Sequence, residues 1–140
     1  NYLDNVFILI NGDSYFDIDL TKLMRIKKDS NWVALIASRT IATNTRYGVM
    51  EISGTKIKKF YNNLIQENAI ISGGIYVLKK IILDEVKPNQ FCSLEKDIFP
   101  LLAKRGLMYG TIFDDYFVDI GTPDDLVSAR IHIPTNTSNL

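Results

Sequence analysis

Cysteine is almost missing from this sequence: Cys92 stands alone among 140 residues. An internal disulfide is therefore impossible and a cysteine-built zinc cluster is disfavoured, which suits a reducing cytoplasm. Charge of one sign is missing too. Sixteen basic and sixteen acidic residues cancel, so no broad basic field argues for nucleic acid or an anionic membrane as a partner. No apolar run approaches the roughly 18 residues that would span a bilayer. A single histidine, His132, leaves little for imidazole chemistry. No internal repeat and no secretory signal is visible. The sequence also lacks an initiator methionine and begins almost at a strand, from which we expect Asn1 not to be a natural start.

What is present is a globular composition, 46% hydrophobic and 23% charged, long enough to bury one core. We expect one domain over residues 1–133 and a loose, polar tail over 134–140. The organising stretch is Val6-Phe7-Ile8-Leu9-Ile10-Asn11-Gly12-Asp13. A five-residue apolar run predicts a central strand buried on both faces, in a parallel sheet with helices on either side. Gly12 permits a sharp exit, which delivers Asp13 to the carboxyl end of the strand, where open α/β sheets bind ligands. The pattern alone reads equally as a plain turn.

Downstream, 14–18 reads as a loop and Asp19 as the cap of a helix over 20–28. A second buried strand covers 32–37, followed by a threonine-rich loop over 41–46. Residues 47–52 and 56–60 form a hairpin in which Ile57 faces the core and the lysines face water. After an irregular segment over 61–68, a long strand over 69–78 is interrupted by Gly73-Gly74, the mark of a bulge or a close approach. A short helix over 79–85 comes next. Ser93 caps a helix reaching Lys104, bent or divided at Pro100 and ended by Gly106. Strands follow over 107–113 and 116–120, with Asp114-Asp115 as the turn between them. Thr122-Pro123-Asp124-Asp125 opens the last helix.

A second apolar strand, Tyr116-Phe117-Val118, also delivers an aspartate, Asp119, followed by Gly121 and a helix start. Two such carboxylates at the ends of strands in one sheet repel each other unless a cation lies between them, and hard oxygen ligands in this number suit Mg²⁺. Two solvated turn aspartates are the competing reading. Asp17-Ile18-Asp19 resembles a metal-binding Asp-x-Asp, but Asp19 reads better as a cap. Cys92 reads as packing rather than nucleophile, because no histidine accompanies it. His132 reads as an exposed or interfacial residue.

Several motifs occur together in one order: Leu9-Ile10-Asn11-Gly12-Asp13, Arg46-Tyr47-Gly48, Ser72-Gly73-Gly74-Ile75-Tyr76, Phe91-Cys92-Ser93-Leu94-Glu95 and Val118-Asp119-Ile120-Gly121-Thr122-Pro123. In this the chain resembles the sugar-1-phosphate nucleotidyltransferases, most of all the D-glycero-D-manno-heptose 1-phosphate guanylyltransferases, over nearly its whole length. The resemblance implies a three-layer α/β/α, Rossmann-like mixed sheet of glycosyltransferase-A type, here its C-terminal portion. It implies attack by a sugar 1-phosphate on the α-phosphorus of an NTP, with release of pyrophosphate. Asp13 and Asp119 would hold Mg²⁺. Gly12, Tyr47, Gly48, Ser72, Gly73 and Gly74 match positions at the substrate, where glycines let the backbone reach sugar hydroxyls.

Two departures qualify that match. The Gly-rich loop ending in Gly-Thr-Arg, which cradles NTP phosphates in the family, does not occur in these 140 residues. Asn62-Asn63 stands where the family usually carries a Glu-Lys pair that grips the sugar phosphate, and asparagine supplies no positive charge. Lys58, Lys59 and Arg46 are the cations available to substitute. We therefore expect no turnover from this polypeptide alone, with a catalytically silent sugar-phosphate-binding or assembly module as the rival. An apolar surface on the flanks of 6–10 and 70–77 is expected to seek a homodimer or complementing chain.

Overall fold

The structure is a computed structural model and describes residues 3–44, 47–62 and 64–136. In chain order it has β1 (Val6–Ile10), β2 (Ser14–Phe16), α1 (Leu20–Arg25), β3 (Ala34–Asn44), β4 (Val49–Ser53), β5 (Lys56–Tyr61) and β6 (Gln66–Lys79). A 3₁₀ turn (Lys80–Glu85) and a π turn (Leu94–Ile98) lead to α2 (Phe99–Lys104), β7 (Met108–Ile112), β8 (Phe117–Asp119) and α3 (Pro123–Asn136). Six strands form one sheet in the order β1-β6-β3-β7-β5-β4, and β2 pairs with β8 in a separate ribbon. Within the large sheet only β3 and β7 run parallel; the other pairings are antiparallel, so the sheet is mixed.

Alternation along the central strands explains why both faces are covered. On β3, Ala34 and Ile36 face one core with Tyr76, Leu78 and Met108, while Leu35 and Ala37 face the other with Ile75 and Val77. The first core is closed by Phe99 and Leu102 of α2, the second by Leu23 of α1 and Phe16 of β2. Local signals place these covers. The Asp19 side chain accepts from the Thr21 N–H at 2.8 Å, fixing the start of α1. The Ser93 side chain accepts from the Lys96 N–H at 3.2 Å, and Pro100 sits in the first turn of α2, where its missing N–H costs nothing.

The expectation for β1 is corrected. It is an edge strand, antiparallel to β6, and its exposure alternates: Phe7 and Leu9 pack on the core, while Val6, Ile8 and Ile10 are exposed. An unbroken apolar run says what a strand can bury, not whether a neighbour is there to bury it. For the same reason the expected apolar flank at 70–77 is absent, because β6 lies between β1 and β3 and its stretch from Ile71 to Leu78 is buried.

Two loops and two helix ends of the sequence reading also differ. Residues 14–16 form β2 through pairing with β8. Residues 41–44 extend β3, since Ile41 and Thr43 are β-branched and find partners in Ala69 and Glu67 of the equally extended β6. Helix α1 stops at Arg25 rather than Lys28. Helix α3 continues to Asn136, past the expected end of the domain at 133. Asp114 and Asp115 lie between β7 and β8, as expected, although the two strands belong to different sheets.

Asp29 ties the α1 side of the sheet together: the Tyr109 hydroxyl donates to its Oδ2 at 2.6 Å, and the Lys56 ammonium at 3.2 Å. The Tyr109 hydrogen bond first, then Lys56, holds this carboxyl below the usual carboxylate range. The stabilisation is complete above the unfolded-state value of about 3.9 and is lost as pH falls through the lower folded value. In urea unfolding followed from pH 5 down to pH 2, Asp29→Asn is expected to show a shallower acid loss than the unchanged chain. An identical acid slope would remove Asp29 from this role.

Candidate functional site

β1 ends at Ile10, and the Asn11 N–H donates to the Gly74 carbonyl at 2.8 Å, pinning the exit of β1 to the middle of β6. The chain turns through Gly12 and Asp13 into β2, whose register sets Ser14 opposite Asp119 of β8. The Ile120 N–H donates to the Asp13 carbonyl at 2.8 Å and closes the end of this ribbon. Asp13 therefore stands in the turn just before β2 and Asp119 at the end of β8, the strand paired with β2, and both border one cleft of about 210 Å³. Asp13 is exposed. Asp119 is half-buried and oriented by the Gly121 N–H, which donates to its Oδ1 at 2.9 Å.

The cleft floor comes from the β6 bulge. Between Ile36↔Tyr76 and Ser38↔Ser72, β6 spends two more residues than β3, and Gly73 and Gly74 lie in that excess. Gly74 has φ +75, and a Cβ there would strike the Ser14 hydroxyl; a Cβ on Gly73 would strike the Phe16 ring. At Gly48 a Cβ would lie 2.6 Å from the Phe60 ring. These glycines are thus needed first for packing, a reason the sequence did not reveal. Phe117 meets Phe16 edge-on at 5.3 Å and Tyr47 at 6.4 Å, giving the cleft an aromatic wall.

Two polar features border the same space. Ser14 Oγ is buried and has no hydrogen-bond partner, the kind of group a bound ligand satisfies. Glu95, which also borders the cleft, is held from behind: Tyr76 Oη donates to Glu95 Oε1 at 2.8 Å and lies 2.9 Å from Ser72 Oγ. Burial, then the negative charge of Glu95, pushes the Tyr76 hydroxyl well above the usual phenol range, so it stays a donor. Since Tyr76 gives its proton to Glu95, Ser72 must give its own to Tyr76, and Ser72 Oγ in turn lies 3.4 Å from the Gly74 N–H. The chain of donors runs from the bulge to a carboxylate.

The nucleotidyl transferase family profile matches residues 2–136. The chain belongs to this family. It is 32% identical over 125 residues to the D-glycero-alpha-D-manno-heptose 1-phosphate guanylyltransferase of Campylobacter jejuni, covering 89% of this chain and 54% of that protein. It is 30% identical over 131 residues to the UTP–glucose-1-phosphate uridylyltransferase of Synechocystis, covering 89% of this chain and 34% of that one. HddC from Yersinia pseudotuberculosis has a similar fold, with a TM-score of 0.74 and 29% identity over 93% of this chain and 56% of its own; it has also been solved complexed with GMP-PN. The chain thus spans about half the length of the heptose relative and a third of the uridylyltransferase.

In this nucleotidyl transferase chain, Tyr47, Gly48, Ser72, Gly73 and Gly74 border the cleft with the two aspartates. Gly12 does not: it is an exposed turn residue with open space where a Cβ would stand. Asn62 is exposed and outside the cleft lining, while Asn63 and Arg46 lie outside the described residues. Lys58 does not border the cleft, and Lys59 pairs instead with Glu51 at 3.3 Å. Asp19 is a cap, and His132 is exposed. Among the described residues no group of three or more His, Cys, Asp or Glu is arranged to hold a metal, so a cation here would rest on two carboxylates. No helix among them is long and apolar enough to cross a membrane. The sequence reading missed Asn11, Ser14, Glu95 and Phe117 at the cleft. Each lies within or beside a motif already noted, but only pairing across strands shows which of them turn inward.

Proposed function

We propose that this chain is the sugar-phosphate-binding portion of a Mg²⁺-dependent sugar-1-phosphate nucleotidyltransferase, one making a nucleoside-diphosphate sugar such as a GDP-heptose and pyrophosphate. The observation that supports it most is the shared cleft bordered by Asp13, Asp119 and the glycine bulge of β6. Two carboxylates bordering one cleft are a donor set that fits Mg²⁺, which takes one or two carboxylates together with phosphate oxygens and water. Bound there, the ion would supply charge neutralisation at the reacting phosphates. The residues of the chain bind and orient: Asp13 and Asp119 would hold the cation, Ser14 would offer its unpartnered hydroxyl, and Ser72 to Gly74 would present backbone groups to the sugar.

The 140 residues contain no Gly-rich phosphate loop, and this supports absence of turnover in the chain alone. Incubation with mannose 1-phosphate, GTP and Mg²⁺ is expected to release no pyrophosphate above background. Robust release would overturn that part of the reading. The silent binding module finds its support in Asn62, exposed and uncharged where a gripping pair is expected; sugar-phosphate binding that ignores Mg²⁺ would favour it. A partner chain belongs to the same reading, supported by the open edge of β1 with Val6, Ile8 and Ile10 exposed. A monomer in light scattering at high concentration would count against it.

A further inference from the structure

Glu95 is the one carboxylate of the cleft that does not belong to the aspartate pair. It is half-buried, and no described cation pairs with it. One oxygen accepts from Tyr76 at 2.8 Å, which fixes its direction. A carboxylate is acceptor-only and has room for about four hydrogen bonds, so most of its capacity is open. Facing a phosphate, such a group would be repelled. Facing uncharged hydroxyls, it would form charge-assisted hydrogen bonds about twice as strong as neutral ones. The Tyr76 ring is itself fully buried and packed on Phe99 at 5.3 Å, so this orientation is held by the core rather than by a loop.

We propose that Glu95, oriented by Tyr76, recognises the sugar hydroxyls of the ligand, so that the cleft has an acceptor for a polyol as well as a cation end for its phosphate. This rests on the sugar-phosphate reading above and adds the residue that distinguishes a sugar phosphate from a bare phosphate ester. Glu95 is then a binding residue and Tyr76 a positioning residue. Losing the Tyr76 hydroxyl frees the carboxylate to rotate and leaves Ser72 without its acceptor.

The test is calorimetric titration of the chain in Mg²⁺ with two probes, mannose 1-phosphate and methyl phosphate, the second carrying no hydroxyls. The unchanged chain is expected to bind mannose 1-phosphate at least about tenfold more tightly than methyl phosphate. Glu95→Gln is expected to lose most of that margin while its affinity for methyl phosphate stays within about twofold. Tyr76→Phe is expected to lose part of the margin in the same selective way. Because the two probes are compared in the unchanged chain, the result does not depend on any variant folding. Equal affinity for both probes in that chain, or a Glu95→Gln loss shared by both, would overturn the role of Glu95 alone. Failure of the unchanged chain to bind either probe would overturn the sugar-phosphate reading itself.

Discussion

Replacing Asp13 or Asp119 with alanine is expected to abolish the Mg²⁺-dependent part of mannose 1-phosphate binding, a loss of about 100-fold or more. The size follows from the donor set. Among the described residues Asp13 and Asp119 are the two carboxylates that would hold the cation, so either substitution removes half of the protein's charge on the ion, and even groups that merely orient metal ligands are worth about 10–100-fold. Asparagine variants separate charge from shape. Asp119→Asn keeps an oxygen for the Gly121 N–H that Asp119 Oδ1 now accepts at 2.9 Å, so its fold should persist while its cation binding fails. Asp13 is exposed, and Asp13→Asn should leave the melting temperature unchanged or slightly raised, since one of the two aspartate charges bordering the cleft is gone. Mg²⁺-dependent binding that survives either substitution would place the ion elsewhere.

The largest effect on stability is expected at Phe99. Its ring is fully buried and sits between Phe60 at 5.5 Å and Tyr76 at 5.3 Å, joining α2 to β5 and β6. Phe99→Ala removes a whole aromatic ring from a closed core, which costs about 3–5 kcal/mol. A domain of this size holds about 5–15 kcal/mol in total, so the variant approaches the unfolding threshold. In urea, the midpoint should fall with little change in slope. A loss under about 1.5 kcal/mol would mean that α2 packs on the sheet more loosely than these rings indicate. The same variant removes the support beneath Tyr76, so selectivity for mannose 1-phosphate over methyl phosphate should weaken before the fold is lost.

Much of this was legible in the amino-acid order because short-range chemistry decided it. The Asp19 cap, the hairpin around Gly54, the glycine bulge of β6 and the Thr122 start of α3 each follow from residues within a few positions of one another. The partners of strands were not legible. Val6 to Ile10 has the composition of an interior strand, yet among the described residues β6 alone borders it; Ser14 to Phe16 looks like a loop until β8 is laid beside it. The site divides the same way. Asp13 and Asp119 announced themselves as apolar strands ending in aspartate and glycine. Glu95 did not, because its place at the cleft depends on Tyr76, 19 positions away and on another element. Gly12 drew attention for the same local reason as Asp13, but a turn residue and its neighbour can face opposite ways.

Paramagnetic broadening gives the most direct view of the aspartate pair. With the chain labelled in ¹⁵N and Mn²⁺ added below stoichiometry as a substitute for Mg²⁺, the amide signals of residues 11–14 and 118–121 should broaden first and together, and Asp13→Ala should remove the effect at both. Broadening centred on Asp114-Asp115 or Asp124-Asp125, with the signals around Asp13 and Asp119 left sharp, would show that the two aspartates share no cation.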